Sequence, residues 1–450
     1  MALVMGQAEE HGIRPVPRER RALGLWDGFV LWADLGVSFL VMVVGMFLVP
    51  GLGLAEALLA ILIGAVIGNL LLGLAAIVGS DTGAPTMVLL RAPLGLRGSY
   101  VATALNIVQL IGWAALEVIV MAQAMDALVA RLFGFGSAYY VWVVLFTVLT
   151  AFLALNGPIK VTRRYLEKFV IWAVLLSTVW ITIALFLAYD VRALLARPGA
   201  GGMPFWIGVD LVVALPISWF PLVADYSRFV RSGKAAFWGT AGGYFVPHVW
   251  FYALGVLLVL AAGVVSDPLA PIAPLLTAIA GLTAGWLALL ILLVGETDEG
   301  FANVYSTAIS IQNLVPGLSQ QRLVLGISAV VLVLAMLVPL TQYESFLLLI
   351  GGLFIPLLGL LLADYFALSR RRYAVDDLYR EGGRYWYGGG VNWLGVVAWA
   401  AGVATYLAIS GLPSLGIASL VPWFAYGASL PSFAVAFVLH LALGKVAGRG

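Results

Sequence analysis

The chain contains no cysteine. That absence excludes disulfides, thiolate metal sites and cysteine catalysis, and it leaves the redox compartment open. Charge is scarce as well. Asp, Glu, Lys and Arg make up 10% of the 450 residues, and the formal net charge of +2 is too small to suggest a nucleic-acid partner. Histidine occurs three times, as His11, His248 and His440. No metal-ligand spacing, phosphate-binding glycine loop or nucleophile elbow accompanies it, so nothing in the sequence indicates an enzyme. His248, with no second His or carboxylate near it, reads as a hydrogen-bonded core residue rather than a proton relay. A cleavable signal is not expected either, because the polar, Arg-rich Gly12 to Arg21 precedes a full-length apolar run.

What the chain has in abundance is apolar surface. Its hydrophobic share of 63% exceeds the roughly 45–50% of a soluble domain, so it is expected to be an all-α, polytopic membrane protein. Spans need about 20 apolar residues. Twelve runs qualify: 28–50, 54–79, 99–125, 138–156, 167–189, 206–227, 237–264, 284–313, 322–340, 343–366, 392–411 and 420–444. With the N-terminus cytoplasmic, one side collects Arg14, Arg18, Arg20, Arg21, Arg91, Arg97, Lys160, Arg163, Arg164, Lys168, Arg228, Arg231, Lys234, Arg322, Arg370, Arg371, Arg372, Arg380, Arg384, Lys445 and Arg449. Only Arg131, Arg192 and Arg197 fall on the other side. By the positive-inside rule both termini are cytoplasmic, and the expected location is the plasma (inner) membrane.

Against this background one stretch stands out, Val294-Gly295-Glu296-Thr297-Asp298-Glu299-Gly300-Phe301-Ala302-Asn303. It puts three carboxylates where lipid should be. A charge near the bilayer centre costs about 2.5–3.5 kcal/mol on insertion scales, so such groups face a bundle interior or a water-filled path. At 100° per residue Glu296, Glu299 and Asn303 share one helix face, and Gly295, Asp298 and Ala302 share the next. A salt-bridged structural cluster is the alternative, but the flanks carry no Lys or Arg.

Other spans carry isolated polar residues. The first holds Asp34 in Leu31-Trp32-Ala33-Asp34-Leu35-Gly36-Val37-Ser38, where Gly and Ser loosen the helix and Asp34 and Ser38 would share a face. Asp34 could instead sit at the cytoplasmic mouth with an Arg or water. The second span's Gly64, Gly68 and Gly73 suit close helix packing. In the third, Trp113 and Glu117 lie one turn apart, with Asn106 and Gln109 before them. A Trp in a span is ordinarily an anchor or core filler. A mid-span Trp beside a carboxylate also suits a flat heterocycle, stacked on the indole and hydrogen-bonded through its N–H. In the sixth span, Pro216 and Pro221 bracket Ser218, Trp219 and Phe220, which predicts a broken helix with exposed carbonyls. Asp225 and Arg228, three apart, are expected to form a structural pair.

The order of Gly79-Ser80-Asp81-Thr82-Gly83, Gly98-Ser99-Tyr100, Gln109-Leu110-Ile111-Gly112-Trp113, Ala224-Asp225-Tyr226-Ser227-Arg228-Phe229, Pro356-Leu357-Leu358-Gly359, Ala363-Asp364-Tyr365, Arg371-Arg372-Tyr373 and Val391-Asn392-Trp393 resembles the nucleobase:cation symporter-1 family. The cytosine and hydroxymethylpyrimidine permease branch is the most similar. The resemblance implies a LeuT-like core of two inverted five-helix repeats plus two peripheral helices, with the ligand at broken helices near the midplane. Mapped here, 1–27 is a cytoplasmic tail, 28–189 and 206–366 are the repeats, 367–391 is a cytoplasmic loop, and 392–450 holds the peripheral helices and a short tail.

In such folds substrate lies between the first, third, sixth and eighth helices and the cation between the first and eighth. Trp113 matches the family's stacking tryptophan, Glu117 a position that is Gln in some members, and Asn303 a substrate-binding amide. The second stacking aromatic aligns with Pro216, so Trp219 or Phe220 is expected to replace it. The expected substrate residues are Gln109, Trp113, Glu117, Ser218, Trp219, Phe220, Glu296, Glu299 and Asn303. The cation-site hydroxyl pair aligns with Thr297 and Asp298 or with Asp298 and Glu299, and first-helix carbonyls align near Asp34 and Val37. The expected cation site is therefore Asp34, Val37, Gly295, Thr297 and Asp298.

The function expected from these readings is secondary active import of a pyrimidine, cytosine or hydroxymethylpyrimidine, by symport with sodium. Protons are the alternative coupling ion, and a purine, uracil or a hydantoin or allantoin the alternative substrate. A passive channel would need a continuous polar lining, and a membrane-embedded enzyme a catalytic pair. No cofactor and no nucleic acid are expected, the partners are a small heterocycle and the lipid bilayer, and oligomerisation is not implied.

Overall fold

The computed structural model describes residues 12–157, 169–263, 272–338, 343–411, 416–421 and 427–449. The basic cluster Lys160, Arg163, Arg164 and Lys168, together with His11, lies outside the described residues. Among them, ten helices are long and apolar enough to cross a membrane, and the pair Leu25–Asp34 and Phe39–Phe47, bent by 62°, adds an eleventh span. The remaining expected span is the eighth. It is a helix over Gly285–Gly295, then Glu296, then a helix over Thr297–Leu314, whose carboxylates hold down its apolar character. The last span begins at Ser429, later than the sequence suggests, and ends at Val446.

Aliphatic runs build the helices, and side chains satisfy their open ends. Glu56 accepts from Gly53 N–H at the head of the second span, Leu54–Thr82. Gly83, in the left-handed region at φ 76°, stops that span, as a residue without a Cβ does most easily. Asp210, in the sixth span, accepts from the N–H groups of Ala428 and Ser429 and so caps the last helix from another element.

The sixth span is the centre of the bundle. The most apolar stretch of Phe205–Ser227 is 89% buried, against 28% for the last two spans, Trp393–Ser410 and Ser429–Val446, which lie at the periphery. The second span packs on the sixth and on the seventh, Gly233–Ala262. Gly64 admits Val212, Gly68 admits Pro216 and Gly73 admits Phe237 and Ala241, the close approach that glycine permits. Both halves of the first span lie along the seventh, and the third, Ser99–Phe133, lies along the eighth. His248 is fully buried in the seventh span, its Nδ1 3.2 Å from Asn69 Nδ2.

Two polar clusters fix the C-terminal end of the tenth span, Tyr343–Leu362, which runs on as a π-helical turn over Ala363–Leu368. The fully buried Asp364 accepts from His440 Nε2 at 2.9 Å, Arg449 at 2.8 Å and Tyr373 at 2.9 Å. Asp81 accepts from Tyr365 at 2.8 Å and from Arg371 at 2.7 Å. The pair expected between Asp225 and Arg228 takes another form. Arg228 Nε donates to the Asp225 backbone carbonyl, its Nη atoms donate to Gly12 and Tyr305, and the Asp225 carboxylate accepts from Thr86 N–H.

At Gly255 a methyl group would fall on the Met42 carbonyl, between the first and seventh spans. Gly255→Ala is expected to destabilise the protein by about 1–3 kcal/mol, read as a lower melting midpoint in detergent. Val246→Ala, at a half-exposed position of the same helix, should leave the midpoint in place. Equal midpoints for both variants would show that the first and seventh spans do not meet at Gly255.

Candidate functional site

The site forms where helices are interrupted. Asp34 ends the first half of the first span, and Ser38 caps the second half, its Oγ accepting from Leu40 N–H at 3.0 Å. Asp34 and Ser38 therefore do not share a helix face, as a continuous helix would have required. Ser38 donates to Glu296 Oε1 at 2.7 Å, and Phe39 N–H reaches both Glu296 oxygens at 3.2 Å. A carboxylate thus sits on the N-terminus of a half-helix, where open N–H groups and the helix dipole favour negative charge. In the sixth span Pro216 stays within the first segment, Phe205–Ser218, and the break falls at Trp219. Helix resumes at Phe220, with Pro221 in its first turn, where a missing N–H does no harm.

These interruptions surround a small cavity lined by Ser38, Leu40, Trp113, Glu117, Leu215, Ser218, Trp219, Glu299 and Asn303. Six of the expected substrate residues meet there: Trp113, Glu117, Ser218, Trp219, Glu299 and Asn303. Three stand elsewhere. Gln109 donates to Asn106, which donates to Ser310, a bridge from third to eighth span. Phe220 is fully buried outside the lining, and Glu296 holds the first-span break. The lining also contains Ser38, Leu40 and Leu215, which were not expected there. Ser38 had a signal in its break-prone neighbourhood, whereas Leu40 and Leu215 are aliphatic residues within aliphatic runs and had none.

The aromatic walls are locked from behind. Trp113 meets Tyr343 and Phe346 edge-on at 5.7 and 5.4 Å. Trp219 Nε1 donates to Tyr244 Oη at 2.9 Å, and Trp32 packs edge-on against both rings. Rigid rings of this kind hold a flat ligand at little entropic cost.

Behind the cavity, the carboxyls of Asp34 and Asp298 lie within hydrogen-bonding reach of each other and are fully buried. Among the described residues no Arg pairs with Asp34. Two bare carboxylates so close require a shared proton or a cation between them. Among the other residues expected at a cation site, Thr297 donates its hydroxyl to the Val294 carbonyl at 2.7 Å, and Val37 N–H donates to the Asp34 carbonyl at 2.9 Å. The Val37 side chain lines a separate apolar cavity with Trp172 and Pro247. Gly295 lies against Val174 of the fifth span, Ile171–Ala188.

Residues 15–434 match the family model for permeases of cytosine/purines, uracil, thiamine and allantoin. The chain belongs to the nucleobase:cation symporter-1 family. It is 26% identical over 409 residues to the cytosine permease of Escherichia coli (strain K12), covering 89% of each chain. It is also 24% identical over 417 residues to the hydantoin permease of Microbacterium maritypicum, covering 87% of this chain and 82% of that one. The closed conformation of Mhp1 with bromovinylhydantoin bound has the same fold, with a TM-score of 0.81 at 19% identity over 97% of this chain and 95% of that one. The protein is thus a multi-pass membrane permease with a LeuT-like fold, and not an enzyme.

Two outcomes test the site. Trp113→Ala is expected to weaken heterocycle binding about tenfold to a hundredfold, the scale of about 1–3 kcal/mol for a base stacked on an aromatic ring, with the melting midpoint unchanged. Unchanged affinity in the folded variant would remove Trp113 from the ligand. Glu296→Ala strips Ser38 and Phe39 N–H of their acceptor and should lower stability by about 1–3 kcal/mol, whereas Glu299→Ala, which leaves no described donor without its partner, should lower it less. The reverse order would deny Glu296 its anchoring role.

Proposed function

We propose that this permease imports a small planar nitrogen heterocycle, a pyrimidine such as cytosine or hydroxymethylpyrimidine, by cation symport and alternating access. The observation that carries the reading is the cavity at the helix breaks. Two tryptophans, two carboxylates and an amide converge there, the inventory that a flat ring with N–H donors and ring acceptors needs. The relatives named as cytosine and hydantoin permeases support the class. Trp113 and Trp219 then hold the ring faces, Glu117 and Glu299 accept from N–H groups, and Asn303 and Ser218 complete the polar contacts. Gln109, Phe220 and Glu296 support the site from behind.

On this reading 28–189 and 206–366 are the two repeats that rock against each other, 392–450 holds the peripheral helices, and both termini face the cytoplasm from the plasma membrane. Competition for labelled cytosine uptake into proteoliposomes, by pyrimidines, purines and hydantoins, tests substrate class directly. Pyrimidines are expected to compete best. Saturable uptake that only purines or hydantoins inhibit would overturn the pyrimidine assignment, and a lack of saturable uptake of any heterocycle would overturn the function.

Coupling is assigned to sodium, at a site formed by Asp34, Val37, Gly295, Thr297 and Asp298, since hard cations take oxygen ligands and a broken helix offers carbonyls. An imposed sodium gradient at fixed pH should drive uptake, and Asp298→Asn should weaken the sodium dependence about tenfold, as ligand charge tunes such sites. Uptake driven fully by a pH gradient without sodium would move the coupling to protons shared by Asp34 and Asp298. Sodium-driven uptake with unchanged sodium affinity in Asp298→Asn would remove Asp298 from the site.

A further inference from the structure

We propose that the heterocycle taken by this cavity carries a positive charge, with Glu117 and Glu299 as its counter-ions between Trp113 and Trp219. The inference rests on the reading of the cavity as a heterocycle site and narrows it: cytosine itself is uncharged near neutral pH, so the preferred ring is a protonated or quaternised relative of it.

One oxygen each of Glu117, Glu296 and Glu299 lies within 4.8 Å of the others, and all three residues are buried. They are not equivalent. The charge of Glu296 is answered by the Ser38 hydroxyl and the Phe39 N–H at the head of a nine-residue helix. Neither oxygen of Glu117, nor Oε1 of Glu299, accepts a hydrogen bond from a described donor. Both line the cavity. Among the described residues no ion pair joins either of them to a base. Arg97, Arg371, Arg380, His440 and Arg449 pair with carboxylates elsewhere. A proton shared among the three carboxyls answers part of this charge, as between Asp34 and Asp298; the charge that remains at the cavity wall has no partner from the described residues, and a buried charge needs one.

A cation from outside could be an inorganic ion or an organic one. The rest of the lining favours the organic one. Trp113 Nε1 is buried and has no acceptor among the described residues, and a metal ion offers it none, whereas a heterocycle brings ring nitrogens or a carbonyl. Two indoles in the lining suit a delocalised cation, which is drawn to the negative face of an aromatic ring. Asp34 and Asp298, behind the first-span break, remain for the coupling ion.

The test compares a permanently charged ring, 4-amino-1-methylpyrimidinium, with uncharged 4-aminopyrimidine at about pH 8, by calorimetric titration of the full chain in nanodiscs. The charged ring should bind at least about tenfold more tightly, since a hydrogen bond to an ionised partner is roughly twice as strong as a neutral one and the cation–π attraction adds to it. Glu117→Gln and Glu299→Gln should each remove most of that preference, lowering the affinity for the charged ring further than that for the neutral ring. If Glu117→Gln does not fold, Glu299→Gln alone decides. Equal or tighter binding of the neutral ring, with the ranking unmoved by either Gln variant, would overturn the inference and leave heterocycle transport intact. Manganous ion that binds the wild-type chain, is lost in Glu117→Gln and excludes both rings would make the cluster an inorganic site and overturn it too. Failure of both rings to bind a folded protein that also takes up no cytosine would bring down the proposed function with it.

Discussion

Carboxylates that no described base answers are the constraint from which this architecture follows. Asp34, Glu117, Glu296, Asp298 and Glu299 are all buried, on the first, third and eighth spans. In a low-dielectric interior their repulsion is not screened by water. The fold manages the problem by breaking helices beside them. A helix end supplies N–H groups where an intact helix supplies none, and Glu296 takes up that supply at Phe39. The carboxylates left over are the ones that face the cavity or each other.

This division of labour explains why the breaks and the candidate cavity coincide. An interrupted span exposes backbone polar groups, which the membrane tolerates only beside protein or a polar cavity. Here the first-span break is stabilised by the eighth span, and the sixth-span break is packed between the second span, through Gly68 and Pro216, and the aromatic group of Trp32, Trp219 and Tyr244. Rigid aromatic packing on one side and unpaired carboxyls on the other give the permease a candidate site that is stiff in shape and, on the proposed reading, incomplete in charge.

Most of the helical frame was legible in the sequence because apolar runs of span length leave few alternatives. The sixth-span break could be placed from Pro216 and Pro221, since the proline ring removes a ladder donor wherever it falls. The first-span break was legible only as a tendency, and Asp34 and Ser38 were assigned one face because nothing local says where a helix without proline stops. That answer lies in Glu296, 257 positions away from the N–H it accepts. For the same reason Glu296 looked like one more wall residue: helical periodicity gives direction, but not the partner waiting there. Arg228 shows the limit from another side, since spacing suggested a carboxylate partner and tertiary contact supplied carbonyls and a tyrosine hydroxyl instead. Leu40 and Leu215 carried no mark at all.

The Asp364 cluster has a consequence in time. The carboxylate belongs to the tenth span, yet two of its donors, His440 and Arg449, lie 76 and 85 residues further along the chain. At about 5–20 residues per second, a ribosome needs roughly 4–17 seconds to reach the second of them. For that interval the end of the tenth span holds a carboxylate without its full set of donors. The last helix is therefore more than a peripheral addition to the bundle: its arrival closes a polar group that the core leaves open during synthesis.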